Sequence, residues 1–191
     1  MEIDFIINNI YPLPESSINS FKEAISLVTF PKGHILMHEN KIENHIYIIK
    51  KGIVRAYTNF DGKEVTFWFG KEADTVLSLK NYVLNQKSYE NIELLEESSF
   101  YKINQSILNQ LLTSDIHIAN WARKMAELEL IKTEKRLIDI QFKKASDRYE
   151  DLINHRPDLF QRVPLGIIAS YLGISQVSLS RIRATQNIKS I

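Results

Sequence analysis

The stretch PLGIIASYLGISQVSLSRIR, residues 164–183, contains two short amphipathic segments separated by a glycine. The first segment places its apolar residues at the spacing of one helical face: Leu165, Ile168, Ala169 and Leu172. Pro164 suits the first turn of this helix because a proline there loses no hydrogen bond. Gly173 accepts the left-handed conformation that commonly ends a helix, and Ser175 is a suitable N-cap for the next helix. The stretch therefore predicts two short helices joined by a tight turn.

The second predicted helix carries polar and small side chains on its outer face. Leu179 and Ile182 are spaced to point inward. The residues that remain outside, or at the edge of the outer face, are Ser175, Gln176, Val177, Ser178, Ser180, Arg181 and Arg183. Gln pairs well with adenine and Arg with guanine, Val contacts the methyl group of thymine, and Ser donates to phosphates. The two segments therefore predict a helix-turn-helix whose second helix enters the major groove of double-stranded DNA.

The charge of the chain is unevenly distributed. The formal net charge of the 191 residues is +1, yet residues 131–191 hold 11 Lys and Arg against 6 Asp and Glu. Residues 1–130 hold 13 Lys and Arg against 17 Asp and Glu. This asymmetry favours a C-terminal part that approaches a polyanion such as DNA, and an N-terminal part that does not.

From Thr29 to Ile103 the sequence consists of short runs rich in β-branched and aromatic residues. These runs are HILMH, HIYIIKKG, IVRAYT, EVTFWFG, ENIELLEES and SFYKI. Asp61-Gly62 stands between two of them and is a strong hairpin signal. Many short strands at regular spacing predict an antiparallel β-roll. Before it, ESSINSFKEAISLV, residues 15–28, has apolar residues at helical spacing and predicts a short helix.

Residues 114–144 contain neither Gly nor Pro and predict one long helix, with Ser114 or Asp115 as its N-cap. An apolar seam follows its first half: Ile118, Trp121, Met125, Leu128 and Ile131. A helix of this length extends roughly 45 Å, which is longer than a small domain needs. It either packs along its own β-roll or pairs with a second copy of itself, and the length of the seam favours the homodimer.

Together these elements predict an α+β fold in three parts. Residues 1–113 are expected to form an N-terminal antiparallel β-roll or jelly roll. Residues 114–144 form the long dimerisation helix, and residues 145–191 form the helix-turn-helix domain that binds DNA.

This order of elements resembles the Crp/Fnr family of bacterial transcription regulators. Residues 31–69, PKGHILMHENKIENHIYIIKKGIVRAYTNFDGKEVTFWF, look like that family's cyclic-nucleotide-binding-domain fold, and RVPLGIIASYLGISQVSLSRIR is similar to the tail of short members from Bacteroidetes-type bacteria. The resemblance implies a sensor domain at residues 1–113, a homodimer joined through the long helix, operator binding by the second helix of the motif, and contact with RNA polymerase. It places Gln176, Val177 and Arg181 at the positions that usually read bases. Gln176 and Val177 replace the Arg-Glu pair of the best-known members, so a different operator sequence is implied.

The resemblance breaks down at the segment that binds cyclic nucleotides. Members that bind them have Gly-Glu for the ribose and, about ten residues later, Arg-Ser or Arg-Ala for the phosphate. The corresponding pairs here are Leu77-Ser78 and Ser88-Tyr89, so we expect no tight binding of cAMP or cGMP. A pocket for another, unidentified effector would be lined by Leu77, Ser78, Lys80, Tyr82, Lys87, Ser88 and Tyr89. A regulator without any effector is equally consistent with the sequence.

Three histidines, His34, His38 and His45, raise an alternative from another class: a cupin-like metal enzyme, or a small-ligand-binding module, that does not bind DNA. Cupin sites need His-x-His, then a Glu, then a distant His, and HILMHENKIENH does not have this spacing. The sequence also shows no nucleophile–base pair, no Gly-rich phosphate loop and no paired carboxylates. We therefore expect no catalysis, no metal and no cofactor, and the DNA-binding regulator remains the favoured interpretation.

The chain has no cysteine, which excludes disulfides, cysteine-ligated iron–sulfur clusters and thiol redox sensing. No stretch approaches 18 uncharged apolar residues, and the opening MEIDFIINN lacks the basic start of a secretory signal. The expectation is a cytoplasmic protein that does not contact membranes.

Overall fold

The computed structural model describes residues 1–189, and within them the chain forms eight strands and nine helices. The strands are β1 (Ile25–Phe30), β2 (Ile35–Met37), β3 (His45–Lys51), β4 (Val54–Phe60), β5 (Lys63–Gly70), β6 (Thr75–Val76), β7 (Asn91–Leu94) and β8 (Ser98–Asn104). The helices are α1 (Ile3–Ile10), α2 (Glu15–Glu23), α3 (Leu79–Leu84), α4 (Gln105–Ser114), α5 (Ile116–Phe142), α6 (Ala145–His155), α7 (Pro157–Arg162), α8 (Leu165–Tyr171) and α9 (Gln176–Lys189). Taken singly, none of the described helices is both long and apolar enough to cross a membrane.

The strands form two four-stranded antiparallel sheets, in the orders β1-β8-β3-β6 and β2-β7-β4-β5. Apolar side chains fill the space between the sheets, with Ile49, Val54, Leu94 and Phe100 fully buried. The predicted α+β fold with an N-terminal antiparallel roll is confirmed. The predicted strands are present because these runs are rich in β-branched and aromatic residues, several of which pack into this shared core.

The Asp61-Gly62 turn joins β4 to β5 as the sequence predicts. Phe60 pairs with Lys63, so the loop has two residues, and both have positive φ angles, 51° at Asp61 and 74° at Gly62. Two consecutive residues of positive φ give the turn whose twist matches a β-hairpin, and Asp and Gly tolerate that conformation well.

The N-terminal region differs from the prediction. The helix expected over residues 15–28 ends at Glu23, and Ile25–Phe30 is instead the strand β1. Pairing with β8, from Ile25 opposite Ile103 to Phe30 opposite Ser98, outweighs the helical spacing of the segment. Helix α1 was not predicted at all.

Helices α1 and α2 pack against the first half of α5 and cover its apolar seam. Ile118 is 0% exposed and Trp121 is 2% exposed, and the Trp121 indole Nε1 donates to the Ile7 carbonyl at 3.1 Å. Phe21 meets Trp121 edge to face, with ring centroids 5.3 Å apart. The prediction that Ile118 and Trp121 form a dimer seam is therefore wrong, because the chain's own N-terminal helices bury both residues.

The other three residues of the predicted seam differ in burial. The Met125 sulfur accepts a hydrogen bond from Thr75 Oγ1 at 2.9 Å and packs on the core, and Leu128 is half-buried. Ile131, by contrast, is 59% exposed. In its second half α5 exposes six apolar side chains: Leu130, Ile131, Leu137, Ile138, Ile140 and Phe142. At 100° per residue the first four of these lie roughly opposite Ile118 and Trp121, so α5 has two apolar faces.

The C-terminal helices share an apolar core with the roll. Ile53, Phe69 and Leu95 from the roll pack in one cluster with buried residues of α6 to α9. Those residues are Tyr149, Leu159, Val163, Ile168, Ala169, Leu172 and Leu179. The helices of residues 145–189 are therefore docked on the roll in this structure.

Candidate nucleic-acid interface

Helices α8 and α9 form the predicted pair joined by a tight turn. Gly173 has a φ of 69°, and the Ile174 N–H donates to the Ala169 carbonyl at 3.0 Å, which closes α8 in the manner of a Schellman motif. Ser175 caps α9, since the Ser178 N–H donates to Ser175 Oγ at 3.1 Å. The inward residues are also as predicted, with Ile168, Leu172 and Leu179 buried.

The outer face of α9 carries the residues that the sequence assigned to DNA reading. Gln176, Val177, Ser180 and Arg181 are all exposed, and Val177 is 61% exposed. These four positions follow one another around less than half of the helix circumference, so they form one continuous polar and apolar surface. Such a surface has the donors, the acceptors and the methyl groups that major-groove base edges recognise.

Three predicted contact residues have other environments. Ser175 is exposed, but its hydroxyl lies 2.9 Å from that of Ser178, and both hydroxyls belong to the cap of α9. Ser178 and Arg183 are half-buried at the two edges of the outer face. The face that is open to a nucleic acid therefore centres on Gln176, Ser180 and Arg181.

Helix α8 binds the edge of the roll through one hydroxyl group. Ser170 Oγ accepts the Thr66 N–H at 2.9 Å and donates to the Glu64 carbonyl at 3.0 Å. Strand β5 is at the edge of its sheet, so these backbone groups have no strand partner on that side. Tyr171 adds an aromatic contact with Phe69, at a centroid distance of 4.8 Å.

A network of charged groups makes a second contact between the motif and the roll. Arg162, at the end of α7, pairs with Glu72 at 2.9 Å and with Glu96. Glu72 also accepts the Gly52 N–H at 2.9 Å. Burial alone would raise the pKa of Glu72, but the hydrogen bonds from Arg162 and Gly52 lower this pKa to about 2. Arg162 is therefore held by the roll and is not available to DNA phosphates in this arrangement.

Two further arginines join the motif to the long helix. Arg136 of α5 donates to the Tyr171 carbonyl at 2.9 Å, and its guanidinium lies 3.7 Å from the centroid of the Tyr171 ring. Arg148 of α6 donates to the Lys143 carbonyl at 2.6 Å and to the Leu172 carbonyl at 2.8 Å. The carbonyl of Tyr171, the last residue of α8, and that of its C-cap Leu172 are thus held by arginines from α5 and α6.

The residues predicted to line an effector pocket do not surround one cavity. Leu77 and Tyr82 pack on the core beside α4, while Lys87 and Tyr89 are exposed at the surface and Lys80 is half-buried. The Ser78 hydroxyl caps α3, and the Ser88 hydroxyl donates to the His38 carbonyl at 2.6 Å. Two open hollows lie near α4, and they are lined by other residues: Asn44, Asn85, Asn104, Gln105, Ser106, Asn109, Gln110, Thr113 and Ser114.

The interior of the roll is occupied by its own side chains. The indole of Trp68 lies over Gly70, so close that a Cβ built on Gly70 would stand 2.3 Å from Trp68 Cη2 and 3.0 Å from Ile49 Cδ1. Trp68 and Phe67 pack on the core between the sheets. Ser88 also stands where nucleotide-binding domains have an arginine for the phosphate, and Ser78 stands where they have a glutamate for the ribose. The residues present therefore do not fit a cyclic nucleotide.

The histidines of the roll do not converge. His34 stacks on Phe30 at a centroid distance of 4.4 Å, and His45 Nδ1 lies 2.7 Å from a Glu43 oxygen. Across the described part of the chain no three His, Asp or Glu side chains are grouped so that they could hold a metal ion. The cupin-like alternative is therefore not favoured by the geometry.

Sequence reasoning missed the residues that fix the motif in place: Arg136, Arg148, Arg162 and Ser170. Arg136, Arg148 and Ser170 bind backbone carbonyl or amide groups, and such partners leave no pattern in the sequence. Arg162 pairs with glutamates 66 and 90 residues earlier, a separation at which no spacing rule applies.

Comparison with protein families finds one matching model, described as the cyclic nucleotide-binding domain, over residues 27–115. This range begins in β1 and ends at the N-cap of α5, so it corresponds to the roll with α3 and α4. No curated protein matches the chain by sequence.

Solved structures extend the similarity to the whole chain. FixK2 from Bradyrhizobium japonicum has a TM-score of 0.72 at 18% identity, covering 87% of this chain and 86% of its own. The c-di-GMP responsive global regulator CLP from Xanthomonas campestris has a TM-score of 0.74 at 14% identity, covering 93% of each chain. A protein from Eubacterium rectale assigned to the Crp/Fnr family has a TM-score of 0.74 at 16% identity, covering 95% of this chain and 88% of its own. The fold is that of the Crp/Fnr regulators, as the sequence resemblance implied.

The contact between Arg162 and the roll predicts how stability depends on pH. The carboxyl of Glu72 has a lowered pKa, so its contribution is complete above pH 4.5 and is lost as the pH falls toward 2. We expect Glu72→Gln to lower the free energy of unfolding by about 2 kcal/mol at pH 7 and by less at pH 3. Chemical denaturation at both pH values measures this difference. Glu97→Gln, at an exposed carboxylate beside Glu96, is the control, and a Glu72→Gln effect equal at both pH values would contradict the assignment.

Proposed function

We propose that this protein, which has the fold of the Crp/Fnr regulators, is a homodimeric transcription regulator that binds a two-fold symmetric DNA operator through α9. The observation that carries the proposal is the exposed face of Gln176, Val177, Ser180 and Arg181 on a helix that is capped and buried on its other side, and that follows a turn held by arginines. A rigid helix with free polar side chains is what major-groove reading requires.

Each exposed residue has a chemical role in this proposal. Arg181 has the fork of donors that matches O6 and N7 of guanine, and Gln176 matches N6 and N7 of adenine. Val177 contacts a thymine methyl group, and the Ser180 hydroxyl serves either a base edge or a phosphate. Gly166 supports Gln176 because a Cβ at that position would stand 3.3 Å from the Gln176 amide oxygen. The first helix of the motif thus leaves room for the Gln176 side chain.

We place the dimer contact on the second half of α5. Leu130 and Leu137 are seven residues apart, as are Ile131 and Ile138, and residues seven apart lie on nearly the same face of a helix. Their side chains are 50–68% exposed, and Phe142, which follows Ile138 at a spacing of four, is 80% exposed. A row of apolar side chains this exposed on one helix is typical of a helix–helix interface. Of the five seam residues predicted from the sequence, Ile131 keeps a place in this contact.

The proposal includes no cyclic nucleotide and no catalytic step. The filled interior of the roll and the missing arginine and glutamate support the expectation that cAMP and cGMP do not bind. Among the described residues, no three His, Asp or Glu side chains are grouped so that they could hold a metal ion. Contact with RNA polymerase and a cytoplasmic location are part of the proposal because a regulator of this fold acts where DNA is transcribed.

Selection of bound duplexes from a random pool tests the DNA-binding proposal. We expect the protein to enrich an inverted repeat, with an affinity that falls steeply as the salt concentration rises. Arg181→Ala should weaken binding to that site by about 1–3 kcal/mol and relax base preference at one position in each half-site. Arg123→Ala, at an exposed arginine on α5, is the matched control. Failure to enrich any repeat would contradict the proposed function, and unchanged base preference in Arg181→Ala would contradict the assigned role of Arg181.

Sedimentation velocity tests the dimer contact. We expect the double substitution Ile131→Glu and Ile138→Glu to raise the dimer dissociation constant by at least about 100-fold, since burying a carboxylate in an apolar contact costs several kcal/mol. As a control, Leu27→Glu introduces one such carboxylate at an exposed leucine on β1, and should leave the dimer intact. A monomeric wild type, or a double variant that dimerises normally, would contradict this part of the proposal.

Isothermal titration tests the effector prediction. We expect neither cAMP nor cGMP to bind with an affinity better than about 1 mM, because no guanidinium is present to pair with the cyclic phosphate. The same titration of DNA carrying the selected repeat is the positive control for active protein. Micromolar affinity for either nucleotide would show that the prediction is wrong.

A further inference from the structure

Two arginines, Arg136 and Arg148, connect the end of the long helix α5 to the C-terminal end of α8. We call this connection the joint between the long helix and the helix-turn-helix. Arg148 spans two elements with one guanidinium, since Nη1 donates to the Lys143 carbonyl at 2.6 Å and Nη2 to the Leu172 carbonyl at 2.8 Å. Lys143 is the C-cap of α5, and Leu172 is the C-cap of α8. The guanidinium therefore ties the end of the long helix directly to the turn that precedes α9.

Arg136 makes the second tie one position earlier. It donates to the Tyr171 carbonyl and stacks on the Tyr171 ring, so both the position and the tilt of the last turn of α8 are constrained from α5. The other late carbonyls of α8 are used within the motif, Ala169 by Ile174 and Ser170 by Gly173. Only the arginines from outside the motif bind the Tyr171 and Leu172 carbonyls among the contacts described.

The precision needed at this joint follows from the dimensions of DNA. Two half-sites one helical turn apart are separated by roughly 34–36 Å along the DNA. Adding or removing one base pair between them changes that distance by about 3.4 Å, and it rotates one half-site relative to the other about the DNA axis by about 35°. The start of α9 lies only four residues beyond Leu172. A joint that yielded by a few ångströms or a few tens of degrees would let a dimer accept several spacings. A joint held by the two carbonyl contacts of Arg148 and by the stacked guanidinium of Arg136 restricts the dimer to one half-site spacing.

We infer that Arg136 and Arg148 are positioning residues that set which half-site spacing the dimer accepts, without taking part in base reading. This inference rests on the proposed function. It separates the two kinds of specificity in one motif, because base preference belongs to the outer face of α9 and spacing preference belongs to the joint behind it. Lysine retains the charge of arginine, but its single nitrogen does not reproduce the contacts that two guanidinium nitrogens of Arg148 make to two carbonyls, nor the stacking of Arg136 on a ring.

The test uses the full-length chain and the repeat that the wild type enriches. We expect Arg148→Lys to enrich the same half-site with a distribution of spacings at least one base pair broader on either side. We also expect the ratio of affinities for the full repeat and for a single half-site to fall by about 10-fold, because a loose joint lowers the effective concentration of the second helix. Arg136→Lys is predicted to change both readouts in the same direction, so the result does not depend on one variant folding.

The matched control is Arg156→Lys, since Arg156 pairs only locally with Asp158 among the contacts described. A general loss of stability would lower affinity for single and paired half-sites alike and leave their ratio unchanged. Wild-type spacing and a wild-type ratio in Arg148→Lys and Arg136→Lys would overturn the inference. If the wild type enriches no inverted repeat, the proposed function itself fails, which is a different result from an enriched repeat whose spacing these variants do not change.

Discussion

The arrangement of the molecule depends on an apolar contact between the roll and the C-terminal helices. Ile53, Phe69 and Leu95 meet buried side chains of α6 to α9 in one cluster. Full burial of a large apolar side chain stabilises a fold by about 1.5–3 kcal/mol, and because the cluster contains several such side chains, together they outweigh the single guanidinium of Arg162 with its two carboxylates. The cluster therefore supplies the docking energy. The charged and polar contacts around it, at Arg162 and Ser170, are directional and fix the orientation that the apolar contact alone would leave loose.

The positive charge of the C-terminal part is largely engaged within the protein itself. Many basic residues of the C-terminal part, counted in the sequence as a surface for a polyanion, are bound to carboxylates or carbonyls of the protein itself. They are Lys132, Arg136, Lys143, Arg148, Arg156 and Arg162. A sum of charges does not distinguish a guanidinium in solution from one in an ion pair. The exposed face of α9, and Arg181 in particular, therefore supports the proposed nucleic-acid partner more than the net charge does.

The features that the sequence predicted correctly are those with local causes. The Asp61-Gly62 hairpin, the turn at Gly173 and the cap at Ser175 each follow from the conformations that one or two residues accept. Periodicity predicted that α5 has an apolar seam, but it could not identify the neighbour, and α1 and α2 cover Trp121 where a second copy was expected. The segment at Ile25 became a strand because β8 was available to pair with it, which only the folded chain determines. The residues predicted to line an effector pocket, Leu77 to Tyr89, are close in sequence but lie in different parts of the fold, which again only the folded chain determines.

The two apolar faces of α5 explain why one helix can serve both the monomer and the proposed dimer. Its first half is buried by the N-terminal helices, and its second half extends past them with Leu130, Ile131, Leu137 and Ile138 exposed on the other side. The helix ends at Phe142, next to the carbonyl that Arg148 holds. The proposed dimer contact and the joint that carries α9 are thus within two helical turns of each other. A short, rigid path between a symmetry axis and a recognition helix keeps the two copies of that helix in register, because little chain lies between them to bend.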